Sequence, residues 1–349
     1  MTILTVLAAI ICFGVIIFLH ELGHFFVAKK CGIRVLEFSI GMGPLLKQKE
    51  RGETKYSIRA LPIGGYCAME GEDETSNDPR AFRNQAVWKR MLVTVAGATM
   101  NIILGFFLIL LTSSLGDSLS STTISNFHMD ENQQSVASSD EKLQIGDRFV
   151  KINGLRIFVA GDIGYALQND TCDTFEVVVE RNNELVTLHD VKFLDKQTNG
   201  LYDFWVYGQQ KTIPNILAFT CKNTVSTARL IWISLIDLIS GKYGFHDLSG
   251  VVGVIDTTTE YVAQEESFRD KCITLFDLMS FITINVGIFN LIPFPALDGG
   301  RLVFLIIEAI TRKQVPAKIE GAIHFAGLAL LMLLMIAVTF KDVFTIFTR

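Results

Sequence analysis

An uncharged apolar run from Ile3 through Leu19 ends directly in His20, Glu21 and His24. This join between a membrane-length segment and an ionisable cluster constrains the chain more than any other feature. About 20 predominantly apolar residues cross a hydrocarbon core of about 30 Å. Two further stretches reach that length without an Asp, Glu, Lys or Arg, Met91 to Thr112 and Gly321 to Phe340. A fourth, about Ile273 to Ala296, carries Asp277 near its start and Pro293 and Pro295 near its end. With 50% hydrophobic and 19% charged residues the chain is too apolar for an ordinary soluble protein. No basic stretch precedes the first run and no small-residue cleavage site follows it, so it reads as a retained span and not a signal peptide. The expected fold class is membrane α-helical, with four transmembrane helices.

Basic residues orient the spans. Lys29, Lys30, Arg34, Lys47, Lys49 and Arg51, with more through Arg90, lie between the first two, and Arg301, Arg312, Lys313 and Lys318 precede the last. The positive-inside rule puts both loops in the cytoplasm, leaving both termini and the region from about 113 to 272 extracytoplasmic. The stretch Ile213 to Ser240 complicates this reading, but its apolar part is short and contains Asp237. It is expected to be an amphipathic helix on the outer surface; counting it as a span would flip everything downstream. A net charge of -5 gives no reason to expect nucleic-acid binding. The six cysteines are scattered without a C-x-x-C, although Cys172 and Cys221 could pair on an oxidising side.

Within the outer region, Leu143 to Ile157 reads LQIGDRFVKINGLRI, a Gly-Asp turn followed by alternating apolar residues and then Asn153-Gly154, a strong hairpin signal. Phe175 to Glu180 is a second strand, turned by Asn182-Asn183 into Leu185 to Leu188. These cues predict a small β-rich domain and nothing sharper.

The chemistry resides in HELGH, His20 to His24. Histidines four apart share one helix face, so both imidazoles can reach one Zn²⁺ at about 2.0–2.1 Å. Glu21 stands beside that face, placed to take a proton from a water activated by the metal and to pass it to a leaving amine. The bland alternative is a chance match, yet three ionisable groups in succession near a span each cost about 2.5–3.5 kcal/mol at a helix centre on insertion scales. Their position near the cytoplasmic end reduces that cost by snorkelling. A catalytic zinc keeps three protein ligands and one open position, and Asp277, Asp298, Glu308 and His324 are the candidates for the third. Asp277 lies about 30 Å along a helix from Asp298, near the opposite face. Asp298 matches the histidines in depth and sits in Asn290 to Gly300 (NLIPFPALDGG), where prolines and glycines break the helix. Broken backbone at membrane depth is tolerated only when buried in protein or lining a wet cavity, which favours Asp298. Glu308 and His324 stay open.

HELGH in a first span together with NLIPFPALDGG in a later one resembles the site-2 protease family of intramembrane zinc metalloproteases, in particular its bacterial branch typified by the regulator-of-sigma-E protease. FSIGMGPLL (Phe38 to Leu46), LPIGGYCAMEGE (Leu61 to Glu72), FRNQAVWKRMLVTVAGATMN (Phe82 to Asn101), LQIGDRFVKING and LSGVVGV (Leu248 to Val254) support the likeness. The resemblance implies one Zn²⁺ on His20, His24 and Asp298, with Glu21 as general base and Asn290 holding the substrate backbone. It implies that Leu61 to Met69, with Gly64, Gly65 and Tyr66, is a cytoplasmic membrane-re-entrant β-loop whose edge pairs with an extended substrate. Asn101 is expected either to serve the substrate similarly or to be interhelical glue. The outer β domain resembles a single PDZ domain, although the polar segment 121–142 departs from the usual pattern. Proline usually stands where Ala98 and Val251 stand here, which puts loop and helix-kink geometry in question.

The expected organisation is therefore 1–112 as the first half of a protease core with its β-loop at about 44–70, 113–210 as the PDZ-like domain, 211–272 as an amphipathic linker region and 273–349 as the second half. The expected location is a bacterial inner (plasma) membrane. The expected partners are the lipid bilayer and single-span membrane proteins, such as anti-sigma factors or remnant signal peptides, with oligomeric state undetermined. Two other classes compete: a metal-ion transporter, since His, Glu and Asp in spans also mark ion pathways, and a noncatalytic scaffold presenting the PDZ-like domain.

Overall fold

The computed structural model describes residues 3–72, 74–129, 137–170, 172–193, 204–244 and 250–348. Part of the polar segment 121–142, and Leu248 and Ser249 of LSGVVGV, lie outside these residues. The chain divides into two compact units, one formed by 1–108 with 231–349 and the other by 109–230.

In the first unit, α1 (Ile3–Lys30), α2 (Val87–Leu115), α6 (Phe268–Asn290) and α8 (Ala317–Thr348) are long and apolar enough to cross a membrane. Small residues let α2 and α6 approach closely, as is usual where lipid supplies no hydrophobic drive between helices. A Cβ on Gly287 would stand 2.9 Å from the Ala98 carbonyl oxygen, and one on Gly105 would run into the Ile284 side chain. Ile16, Leu108 and Met279 close the core between α1, α2 and α6. Ala98 is fully buried and α2 runs unbroken through it, so the missing proline leaves the helix without an interruption there.

The third span differs from expectation. It begins at Phe268, ends at Asn290 and does not reach Ala296. Pro293 and Pro295 each lack an N–H and push the residue before them out of the α region, so the helix stops ahead of both. A separate helix, α7 (Asp298–Thr311), then starts at Asp298, which is thus a helix's first residue and not the tail of the span. Asp277 sits within α6 on an exposed face.

Between α1 and α2 the chain forms one long hairpin, β1 (Val35–Arg51) with β2 (Thr54–Met69), folded back on itself so that 37–40 pair with 65–68 on one edge and with 55–58 on the other, while 47–51 pair with 54–58. It starts earlier than the loop expected at about 44. Its root is anchored on α1, where Val35, Phe38, Cys67 and Met69 join one buried cluster with Ala28 and Val93. Farther out, Met42, Leu45, Leu46, Ile58 and Leu61 are exposed. Farther along the chain, α5 (Val251–Gln264) packs on α1, α6 and α8. The buried Asp342 carboxylate on α8 accepts hydrogen bonds from the Gly250 and Gly253 N–H groups at the start of α5, both at 2.9 Å.

The second unit holds a sheet in the order β7-β6-β4-β3-β8, with β5 pairing β4. Its strands are β3 (Leu119–Phe127), β4 (Arg148–Ile152), β5 (Leu155–Arg156), β6 (Phe175–Arg181), β7 (Glu184–Val191) and β8 (Phe204–Gln209), with α3 (Ala160–Asn169) packed on it. Both expected turns form: Asn153 and Gly154 take φ of 44° and 79°, Asn182 and Asn183 take 54° and 65°. Positive φ at both central residues is what a tight hairpin's twist requires. The buried Asp147 of the Gly-Asp turn is matched by Arg181, which donates from Nε and Nη2 at 2.7 Å each. The expected amphipathic segment is a single helix, α4 (Ile213–Ile239), and Cys172 and Cys221 are both exposed. Ser226 of α4 hydrogen-bonds Asp162 at the start of α3, so the first part of α4 packs with the β unit.

Candidate metal centre

The helical spacing of HELGH places His20 and His24 on one face of α1, both 8% exposed, with their Nε2 atoms 3.2 Å apart. Asp298 Oδ2 reaches the same point, 3.1 Å from His20 Nε2 and 3.3 Å from His24 Nε2. Among the described residues these three form a group able to hold one metal ion. Asp298 arrives there because the loop behind it is packed hard against α7. A Cβ on Gly299 would collide with the Leu291 and Ile292 carbonyl oxygens, and one on Gly300 with that of Phe294. Ala296 takes φ of +77°, a strained value for a residue with a side chain.

Zinc fits this donor set. Ligands at about 2.0–2.1 Å around a tetrahedral ion lie roughly 3.3 Å from one another. The three observed separations match one face of such a tetrahedron, which leaves a fourth position open. Asp298 Oδ2 is buried and, among the described residues, has no hydrogen-bond partner, the condition expected of an atom reserved for a cation. The outer nitrogen of His24 is also fixed, its Nδ1–H donating to the Val93 carbonyl at 2.8 Å. That hydrogen bond sets the tautomer with a bare Nε2.

The rival third ligands are engaged elsewhere. Glu308 accepts two hydrogen bonds from Arg90, at 2.9 and 2.5 Å. His324 Nδ1 accepts from the Ala296 N–H at 2.9 Å and so braces the strained loop before Asp298.

Glu21 lies beside the hairpin. A Cβ on Gly65 would stand 3.5 Å from Glu21 Cγ and 2.8 Å from the Ser39 carbonyl oxygen, so β2 passes the carboxylate where only a glycine fits. Gly64 takes φ of +92° against the Met42 side chain. The Tyr66 hydroxyl accepts from Arg59 Nη2 at 2.6 Å, and the same nitrogen donates to Glu37 Oε1 at 3.0 Å. Asn290, the last residue of α6, donates from Nδ2 to the Val286 carbonyl at 3.0 Å. Asn101 is fully buried, its Nδ2 3.3 Å from His20 Nδ1.

Gly97 is a site residue that sequence reading passed over. A Cβ there would lie 2.7 Å from both Cε1 and Nε2 of His20 and would also strike His24 Nε2. Its one sequence signal was a glycine inside an apolar span, which reads equally well as helix packing.

A family model described as Peptidase family M50 matches residues 8–334. A candidate zinc metalloprotease of Clostridium acetobutylicum is 34% identical, covering 98% of this chain and 98% of its own length. The regulator of sigma-W protease RasP of Bacillus subtilis is 29% identical over 98% of this chain and 99% of its own. The zinc metalloprotease RasP of Shouchella clausii is 31% identical over 99% and 100%.

Proposed function

Because this chain belongs to peptidase family M50 and is a zinc metalloendopeptidase, we propose that it hydrolyses peptide bonds of single-span membrane proteins, within or beside the bilayer. The observation that carries this reading is the convergence of His20, His24 and Asp298 on one point in a protein with several membrane-length helices. These three residues would hold the zinc, which when bound supplies Lewis-acid activation of a water and of the scissile carbonyl.

The rest of the reaction falls to the chain's own groups. Glu21 takes the proton from the attacking water and returns it to the leaving amine. A helical peptide bond is shielded by its own hydrogen bonds, so the substrate unwinds locally and needs new partners for the freed groups. The edge of β2 not occupied by β1 is suited to provide them by strand addition, with Gly64, Gly65 and Tyr66 running alongside Glu21. Asn290 meets the substrate backbone with its carboxamide oxygen.

The protein is a multi-pass membrane protein. In the orientation we favour, both termini and the β unit are extracytoplasmic in a bacterial plasma membrane, with the hairpin's exposed apolar side chains dipping into the cytoplasmic leaflet. The β unit acts as a PDZ-like filter for substrates already trimmed outside. The name of the B. subtilis relative favours anti-sigma factors as the substrate class.

The deciding experiment compares wild-type protein with Glu21→Gln on a single-span anti-sigma factor in detergent or vesicles. Cleavage is expected to vanish while zinc content stays at one per chain. Persistent cleavage by Glu21→Gln would remove the proposed base.

A further inference from the structure

The two zinc-facing histidines are not equally well fixed. His24 gives its Nδ1–H to Val93, leaving Nε2 bare toward Asp298. His20 Nδ1 instead lies 3.3 Å from the amide nitrogen of Asn101. If that nitrogen donates, Nδ1 must supply its lone pair and the ring proton must sit on Nε2. That is the atom 3.1 Å from Asp298 Oδ2 and 3.2 Å from His24 Nε2, where a proton would exclude a metal. The other end of the same amide is also out of place. Asn101 Oδ1 is buried in a residue with no exposed surface and, among the described residues, has no hydrogen-bond partner. An unsatisfied buried acceptor costs about 1–3 kcal/mol. The two ends of an amide are nearly identical in size, so packing does not choose between them and hydrogen bonding must.

One half-turn of the amide brings Oδ1 to His20 Nδ1, where it gains a donor and the ring proton no longer has to sit on Nε2. We propose that Asn101 is a positioning residue for His20, its carboxamide oxygen accepting the Nδ1–H and so holding Nε2 bare for the metal. The inference rests on His20, His24 and Asp298 being the zinc ligands. Val93, Gly97 and Asn101 then form one working face of α2, four residues apart: an acceptor for His24, a gap for both rings, an acceptor for His20. Thr283 steadies this face by donating its hydroxyl to the Asn101 carbonyl at 3.1 Å, tying α6 to α2 at the same residue. The assignment replaces substrate contact as the role of Asn101, since its side chain is spent on a ligand's outer nitrogen.

The test is zinc affinity of the full chain in detergent, measured with zinc alone against a chromogenic chelator. Asn101→Leu keeps the size and removes the acceptor; Asn101→Asp keeps an acceptor. Loss of such a partner typically weakens metal binding about 10- to 100-fold, which is the effect expected for Asn101→Leu. Asn101→Asp should stay close to wild type, a split that a merely structural asparagine would not produce. Nitrogen NMR of labelled histidine gives a second readout that needs no variant: His20 in the wild type should carry its proton on Nδ1. Equal affinity in Asn101→Leu and wild type, equal loss in both variants, or a proton on His20 Nε2 would each overturn the proposal. His20→Ala serves as reference. Undiminished zinc binding there would instead sink the ligand assignment on which the proposal stands.

Discussion

Arg90 and Glu308 meet in a two-bond fork, Nη1 to Oε2 at 2.9 Å and Nη2 to Oε1 at 2.5 Å, with Arg90 only 4% exposed. The fork joins the first turn of α2 to the last turns of α7. Those helices carry the Val93–Gly97–Asn101 face and Asp298, so the pair ties together two sides of the metal centre.

A buried pair of this kind contributes little against a well-packed apolar replacement but is costly to break on one side. Arg90→Ala leaves the Glu308 carboxylate buried and uncompensated, and is expected to lower stability by about 3–5 kcal/mol. Thermal unfolding in detergent measures this. The double variant Arg90→Met with Glu308→Met should recover most of the loss. Zinc content in Glu308→Gln should match wild type, because Glu308 is engaged with Arg90 and not with the metal. A Glu308→Gln protein that lost its zinc would mean the third ligand had been misassigned.

Gly97 makes a sharper demand. The rings of His20 and His24 are held from behind, His24 by Val93 and His20 against Asn101, so neither can swing away from an added methyl group. Gly97→Ala is therefore expected to displace both Nε2 atoms, which a Cβ would approach to within 2.7 Å in the case of His20. The expected outcome is a fall in zinc affinity of at least about tenfold, in the range seen when support of a metal ligand is lost. Metal analysis of purified protein, with circular dichroism to confirm that the helices remain, is the measurement. Wild-type zinc content in Gly97→Ala would mean the rings have slack that the packing does not reveal.

These dependences separate what was legible in the sequence from what was not. His20, Glu21 and His24 could be read because their relation is local: four residues of helix set it. Asp298 could be favoured by depth and by the broken backbone around it, but its true setting was not visible. Pro293 and Pro295 end α6 at Asn290, and the close packing of Gly299 and Gly300 against the loop starts a new helix at Asp298. The first part of the β-loop, expected only from about 44, begins at Val35 because Val35 and Phe38 join the buried cluster with Ala28 and Val93, a contact between segments far apart in the chain. The Arg90–Glu308 fork and the His324 contact to Ala296 join residues far apart in the chain, and no local pattern announces them. In the β unit the opposite held. Asn153-Gly154 and Asn182-Asn183 fix their turns by backbone preference alone, so strands β4 to β7 fell nearly where alternation put them.

The proposed orientation makes a prediction that does not involve the metal at all. Lys29, Lys30, Lys47, Lys49 and Arg51 lie on or beside the hairpin, and translocating them outward would oppose the bias that sets membrane topology. In chain order α2 separates the hairpin from the β unit, so the proposed four-span arrangement puts the β unit across the membrane from the hairpin. Cys172 is exposed in that unit and serves as a native reporter once the other exposed thiol is removed by Cys221→Ser. A second reporter, Lys49→Cys, is placed in the exposed outer part of β1. In right-side-out vesicles a membrane-impermeant maleimide should label Cys172 at once and reach the reporter at 49 only after the membrane is opened. Inverted vesicles should give the reverse order. If α4 crossed the membrane as a fifth span, Cys172 and residue 49 would still label as stated, but Lys313→Cys on the loop before α8 would then label from outside. Labelling of that third reporter in intact right-side-out vesicles would therefore overturn the four-span arrangement, and with it the placement of Asp298 on the same side as His20 and His24.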